Sequence, residues 1–175
     1  MKVMITAGGT TEKIDNVRTI ANISTGRLGS LTADAFAELP EVDEIFYLCG
    51  KTAILPQSNK TEIIHVGSVS ELETAVASVF DRTDIDIIIH SMAVSDYRVK
   101  SVTSALKMAE IFLAKSEKLR NLDTANVEHY IEALLNESES IINGDGKISS
   151  NIENLLLVME KTPKVISMFK KLSPQ

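Results

Sequence analysis

The chain alternates short apolar runs with stretches whose apolar residues recur at helical spacing. Val3-Met4-Ile5 is a run of the kind a buried parallel strand shows. From Leu28 to Leu39 the pattern puts Leu28, Leu31, Ala35, Phe36 and Leu39 on one helical face, and Pro40 stops it. Glu44 to Gly50 (EIFYLCG) reads as a second strand and Thr61 to Gly67 (TEIIHVG) as a third. Ser70 with Glu73 three residues on is a capping box ahead of Leu72, Ala75, Val76, Val79 and Phe80. Asp86 to Met92 is a fourth strand, and Leu155 to Met159 a fifth, buried one. Thr162-Pro163 opens a last helix with Val165, Ile166 and Phe169 toward the core, the proline standing where its missing N–H is harmless.

Strands and helices in alternation with short connections predict an α/β, Rossmann-like fold, a mostly parallel sheet with helices on both faces. Ligands of such sheets sit beyond the carboxyl ends of the strands. Gly8-Gly9 and the stretch His90 to Asp96 both fall at that edge, so topology alone predicts that they converge. Between about 101 and 145 the character changes. Leu106, Ala109, Ile111, Phe112, Leu113 and Leu119 suggest one helix, and Val127, Tyr130, Ile131, Leu134 and Leu135 another, which Thr124 can begin. Asn143-Gly144-Asp145-Gly146 is a turn signal. The segment reads as a helical and loop insertion within a single domain, 1–175, with no repeat or low-complexity linker.

Composition narrows the classes. A chain of 175 residues with 44% apolar and 24% charged residues has the balance of a globular domain. A net charge of -6 argues against a broad nucleic-acid surface while leaving room for a local basic site. The N-terminus lacks a signal-peptide layout and no apolar run has spanning length, so no membrane partner and a cytoplasmic location are expected. Cys49, the single cysteine, follows Phe46-Tyr47-Leu48 and reads as a buried thiol rather than a nucleophile.

Two small-residue turns lie close together, Thr6-Ala7-Gly8-Gly9-Thr10-Thr11 and Ser24-Thr25-Gly26-Arg27-Leu28-Gly29. Glycines let the backbone approach a ligand, and hydroxyls with N–H groups at a strand end or helix start suit a phosphate. A βα turn without a ligand is the alternative. Neither G-x-G-x-x-G directly after the strand nor G-x-x-x-x-G-K-[ST] occurs.

The string AGGTTEKIDNVRTIANISTGRLG resembles the N-terminal signature of the phosphopantothenate–cysteine ligase family of coenzyme A biosynthesis. Further similar stretches follow in order: His90-Ser91-Met92-Ala93-Val94-Ser95-Asp96-Tyr97-Arg98, Gly146-Lys147-Ile148-Ser149-Ser150, and Thr162-Pro163-Lys164. The resemblance implies that Asn22 holds the activated acyl intermediate and Lys147 reaches the nucleotide phosphates. It gives phosphopantothenate to Arg18 and Ala93. It gives the nucleotide to Gly8, Gly9, Thr10, Asp15, Ser24, Thr25, Gly26, His90, Ser91, Met92, Asp96, Thr162, Pro163 and Lys164. The plainer readings stand beside these: a turn amide for Asn22, a surface charge for Arg18 and Lys147, a loop-orienting Asp15, a strand-end Asp96 and a satisfied His90. Three departures are visible. Ser149 and Ser150 stand where members often carry further lysines, Thr162-Pro163-Lys164 stands where many read Asn-Pro-Asp, and the Asp-Tyr-Arg and Lys motifs lie further apart.

The implied chemistry has two steps. The carboxylate of 4′-phosphopantothenate attacks the α-phosphate of CTP (or ATP), releasing pyrophosphate, and the amine of L-cysteine then attacks the acyl nucleotide. Mg²⁺ as helper of the triphosphate, no protein metal site and a homodimer complete the expectation. Members continue past this last helix, so the resemblance also implies a chain incomplete at its C-terminus. Two other classes remain open, a short-chain-type NAD(P) reductase suggested by Thr25 to Gly29 with Tyr97 and Lys100, and a non-catalytic nucleotide-binding module.

Overall fold

The structure, a computed structural model, describes residues 1–117, 123–136, 142 and 146–173. Its contacts group into two units, one of 1–12, 20–96 and 162–175, the other of 13–19 and 97–161.

Four strands make the sheet of the first unit: β1 (Lys2–Ala7), β4 (Glu44–Gly50), β5 (Thr61–Val66) and β6 (Ile87–His90). All are parallel, in the order β5-β4-β1-β6, and the unit is an α/β, Rossmann-like fold. Two three-residue strands, β2 (Thr11–Lys13) and β3 (Thr19–Ala21), flank the excursion of the chain into the second unit. Alternation along β1 divides the core. Val3, Ile5 and Ala7 pack with Ile45, Tyr47 and Cys49 beneath helix α1 (Arg27–Ala37). Met4 packs with Phe46, Leu48 and Met92 beneath α2 (Val69–Arg82) and the last helix, α5 (Val165–Leu172). Helices therefore cover both faces, as the pattern predicts.

Four local expectations need correction. Helix α1 buries Gly29, Ser30 and Ala33, while Leu28 and Leu31 are 71% and 57% exposed. A Cβ on Gly29 would stand 2.5 Å from the Ala7 Cβ, so the helix lies closer to the sheet than a leucine face allows. The capping box of α2 is Ser68 with Glu71, not Ser70 with Glu73: Ser68 Oγ accepts from the Glu71 N–H, and Glu71 reaches back to the Gly67 N–H. Both pairs share one spacing, and only the earlier one lies at the helix start. Ile166 is 54% exposed, so α5 rests on Val165 and Phe169. The run after residue 154 is no buried parallel strand but one partner of an antiparallel ribbon in the second unit.

That ribbon pairs β7 (Tyr97–Ser104) with β8 (Leu155–Lys161), with a register shift between Val99 and Ser101. β8 alternates between half-buried and exposed positions over most of its length, as one face of such a ribbon must. Helices α3 (Ala105–Ala114) and α4 (Thr124–Asn136) follow β7, the first capped by Ser104 Oγ and the second by Asp123 Oδ1. Leu134 is fully buried. Leu119 and the turn residues 143–145 lie outside the described residues. No described helix is long and apolar enough to cross a membrane.

Candidate functional site

In the first unit the predicted convergence is present atom by atom. Past β1 and β6 the two chains stay side by side through a parallel bridge of Gly9 with Ala93. The Ala93 N–H donates to the Gly8 carbonyl at 2.8 Å, and the Thr10 N–H donates to the Ala93 carbonyl at 3.1 Å. Asn22 is held against the same junction. Its N–H donates to the Thr10 carbonyl at 3.1 Å, and its Nδ2 donates to the Ala93 carbonyl at 3.0 Å. Among the described residues, Asn22 Oδ1 has no protein donor.

The glycines fit this junction for separable reasons. Gly8 and Gly26 have φ of 79° and 71°, a region that penalises a side chain. Gly9 has no such φ; instead a Cβ there would meet the Asn22 carbonyl oxygen at 2.1 Å. A Cβ on Gly26 would lie 3.1 Å from the Gly8 nitrogen, so the two small-residue turns of the sequence touch. Gly26 is also the N-cap of α1 and has no side chain to cap that end, where the Arg27 N–H makes only a long bond to Thr25 Oγ1 at 3.4 Å. Backbone N–H groups at an uncapped helix start are a natural anion cradle. The Tyr47 hydroxyl, buried beneath, donates to the Gly26 and Ile54 carbonyls, and burial pushes its pKa up to about 12.

Thr10 is fully buried, and its hydroxyl donates to Ser95 Oγ and accepts the Ser95 N–H. Ser95 carries no signal of its own in the sequence, yet its carbonyl also accepts from Thr162 Oγ1 at 2.5 Å. The Thr162 N–H donates to the Asp96 carbonyl, which fixes the Thr162-Pro163-Lys164 turn beside the end of β6. Gly50 is a second residue that sequence reasoning passes over: a Cβ there would stand 2.6 Å from the Gly9 carbonyl oxygen. Its signal is a glycine ending an apolar strand.

Beyond β6 lies a cleft of about 240 Å³ whose lining includes His90, Met92, Asp96, Pro163 and Lys164. Lys164 Nζ pairs with Asp96 Oδ1 at 2.5 Å. His90 Nδ1 lies 2.6 Å from Thr6 Oγ1, and the ring meets Phe169 edge-on at 5.2 Å. Burial lowers the His90 pKa below the ordinary histidine value, which favours the neutral imidazole. Ser91 turns its hydroxyl to the Thr6 carbonyl, and Met92 packs into the core. Cys49 is fully buried with its thiol pushed up to about 11, as suits an inert thiol.

Asp15, Arg18 and Lys147 belong to the second unit. The buried Asp15 carboxylate accepts the N–H groups of Val17, Arg18 and Ile148. Desolvation alone would raise its pKa; the three backbone donors and the Arg18 guanidinium outweigh it and hold the carboxyl below the ordinary range. Arg18 Nη2 pairs with Asp15 at 2.9 Å and donates to the Ile148 carbonyl. The pair thus grips both polar groups of one peptide residue, and exposed Lys147 is its neighbour. Tyr97 and Lys100 lie on strand β7, so the helical-turn spacing a short-chain reductase needs is absent.

Residues 1–128 match the sequence model of the family described as DNA/pantothenate metabolism flavoprotein C-terminal domain. The coenzyme A biosynthesis bifunctional protein CoaBC of Bacillus subtilis is 37% identical over 100 residues, 57% of this chain and 24% of that protein. Its counterpart in Mycolicibacterium smegmatis is 33% identical over 105 residues, 60% of this chain and 24% of that protein. The chain spans about a quarter of the length of these curated relatives. The crystal structure of a DNA/pantothenate metabolism flavoprotein from Streptococcus pneumoniae superposes with a TM-score of 0.69 at 30% identity, over 99% of this chain and 66% of that one.

Proposed function

We propose a function from one premise: the chain belongs to the DNA/pantothenate metabolism flavoprotein C-terminal domain family. It acts as a phosphopantothenate–cysteine ligase domain. The 4′-phosphopantothenate carboxylate displaces pyrophosphate from the α-phosphate of CTP, and the cysteine amine then displaces the nucleoside monophosphate from the acyl carbon. Activation is needed because a free carboxylate is a poor electrophile. ATP is the alternative nucleotide.

The observation that carries this reading is the placement of Asn22. Its amide and backbone are locked to Ala93 and Thr10 at the carboxyl edge of the sheet, beside two glycine turns and an uncapped helix start. Such a junction can receive phosphate on backbone N–H groups while the Asn22 amide meets the acyl group beside it. No His/Asp/Ser constellation is required, because both steps are displacements in which positioning and charge neutralisation dominate. Arg18 and Lys147 carry the phosphopantothenate and phosphate roles that the resemblance assigns.

Mg²⁺ would arrive with the triphosphate and neutralise part of its charge. Asp96 is the carboxylate suited to lie beside it, and among the described residues no three His, Cys, Asp or Glu side chains converge into a protein cage. In a pyrophosphate-release assay with 4′-phosphopantothenate, L-cysteine and CTP or ATP, the protein turns over and Asn22→Ala loses about two orders of magnitude, the scale of removing one transition-state hydrogen-bond group. Equal rates for both proteins reject the assignment.

A further inference from the structure

The hydrogen-bond ladder that runs on past β1 and β6 changes acceptor at one residue. A parallel ladder advances two residues at a time. The Ser91 N–H donates to the Thr6 carbonyl at 3.1 Å, and the Ala93 N–H to the Gly8 carbonyl at 2.8 Å. The next donor in that series is the Ser95 N–H, and the next acceptor is the Thr10 carbonyl. Ser95 instead donates to Thr10 Oγ1 at 2.8 Å, while the Thr10 carbonyl accepts the Asn22 N–H at 3.1 Å. The Thr10 hydroxyl in turn donates to Ser95 Oγ at 3.0 Å. The Ser95 carbonyl, the following rung, is also taken by a hydroxyl, that of Thr162.

We infer that Thr10 is a positioning residue: its hydroxyl replaces its own carbonyl as the ladder acceptor and so leaves that carbonyl to hold Asn22. Two main-chain donors, on Ser95 and Asn22, otherwise compete for one carbonyl. A buried N–H without an acceptor is costly, so the hydroxyl decides which donor the carbonyl keeps. Thr10 is fully buried, and its N–H donates to the Ala93 carbonyl. All its polar groups are therefore spent inside the protein, and its part in the site is indirect. The same Ala93 carbonyl accepts Asn22 Nδ2 at 3.0 Å, so both acceptors that orient Asn22 are tied together by Thr10. The catalytic consequence rests on the ligase reading above; the bonding arrangement does not.

Amide hydrogen exchange on the whole chain tests the arrangement. Thr10→Val keeps the shape and removes the hydroxyl, Thr10→Ala removes it with less bulk, and Thr10→Ser keeps it. In Thr10→Val and Thr10→Ala the Asn22 N–H exchanges about tenfold faster, the scale of one lost hydrogen bond, while Ser91 and Ala93 stay near wild type. Thr10→Ser matches wild type at all three amides. In pyrophosphate release with 4′-phosphopantothenate, L-cysteine and CTP or ATP, kcat of Thr10→Val falls about tenfold or more, as misplacing a reacting group does. The nucleotide KM stays within about twofold, and Thr10→Ser restores kcat. Unchanged Asn22 exchange overturns the inference. So does equal acceleration at all three amides, the mark of a residue that only stabilises the fold, and so does a Thr10→Val enzyme with wild-type kcat. A wild type that releases no pyrophosphate rejects the ligase reading, and the exchange pattern alone then decides whether Thr10 places Asn22.

Discussion

Gly9→Ala is the sharpest perturbation the structure offers. The added methyl would stand 2.1 Å from the Asn22 carbonyl oxygen and 3.0 Å from its carbonyl carbon. Both are backbone atoms, so no rotamer change relieves the clash; the β3 exit bearing Asn22 must move as a unit. Overpacking of this kind costs about 1–3 kcal/mol. For a domain of this size each kcal/mol lowers Tm by about 2–4 °C, so a fall of several degrees is expected. Gly146→Ala is the control, because among the described residues nothing lies within 4 Å of the place its methyl would take, and Ala there is neutral or mildly stabilising. Urea midpoints and pyrophosphate release are measured for both variants and for Gly9→Ala in an Asn22→Ala background. The stability loss persists in that background, because the clash is with backbone. The activity loss does not add to that of Asn22→Ala, since both act on one amide. A Gly9→Ala protein matching wild type and Gly146→Ala in urea midpoint refutes the packing argument.

The other expectations are briefer. Ser68→Ala removes the cap of α2 and costs about 1 kcal/mol in urea unfolding, whereas Ser70→Ala stays within about 0.5 kcal/mol; the reverse order would restore the later capping box. Asp15→Asn tests the gripping loop through pH. The folded pKa of Asp15 is depressed, so its stabilisation is fully present above the ordinary carboxylate value of 3.8 and fades as pH falls through the lower folded value. The urea-midpoint gap between wild type and Asp15→Asn is therefore wide at neutral pH and closes in acid; a constant gap contradicts it.

Legibility in the sequence followed the physics of each feature. β4 was readable almost to the residue, because a strand buried on both faces carries an unbroken apolar run, and the edge strand β5 was readable from the apolar pair Ile63-Ile64 at its centre. The meeting of Gly9 with Ala93 was readable from topology, because parallel strands present their carboxyl ends together. Helix α1 was placed correctly and turned wrongly. Hydrophobicity favoured its leucines, while close approach to Ala7 selected Gly29 and Ala33. The run Leu155 to Met159 has no period, so nothing local distinguished a ribbon strand from a core one. The Asp15–Arg18 hold on Ile148 spans 133 residues and leaves no local pattern at all. Ser95 was not singled out because a small polar residue announces nothing until its two partners, Thr10 and Thr162, are known.

The chain's path carries a consequence for biosynthesis. Residues 13–19 wait for partners that begin at 97, and Ser95 waits for Thr162. Neither unit is assembled from one continuous segment, so on the ribosome both stay unfinished until translation has passed the second ribbon strand. Late closure of this kind slows folding and lengthens the time that apolar strands spend uncovered, which makes this a protein whose yield should respond to chaperone supply and growth temperature.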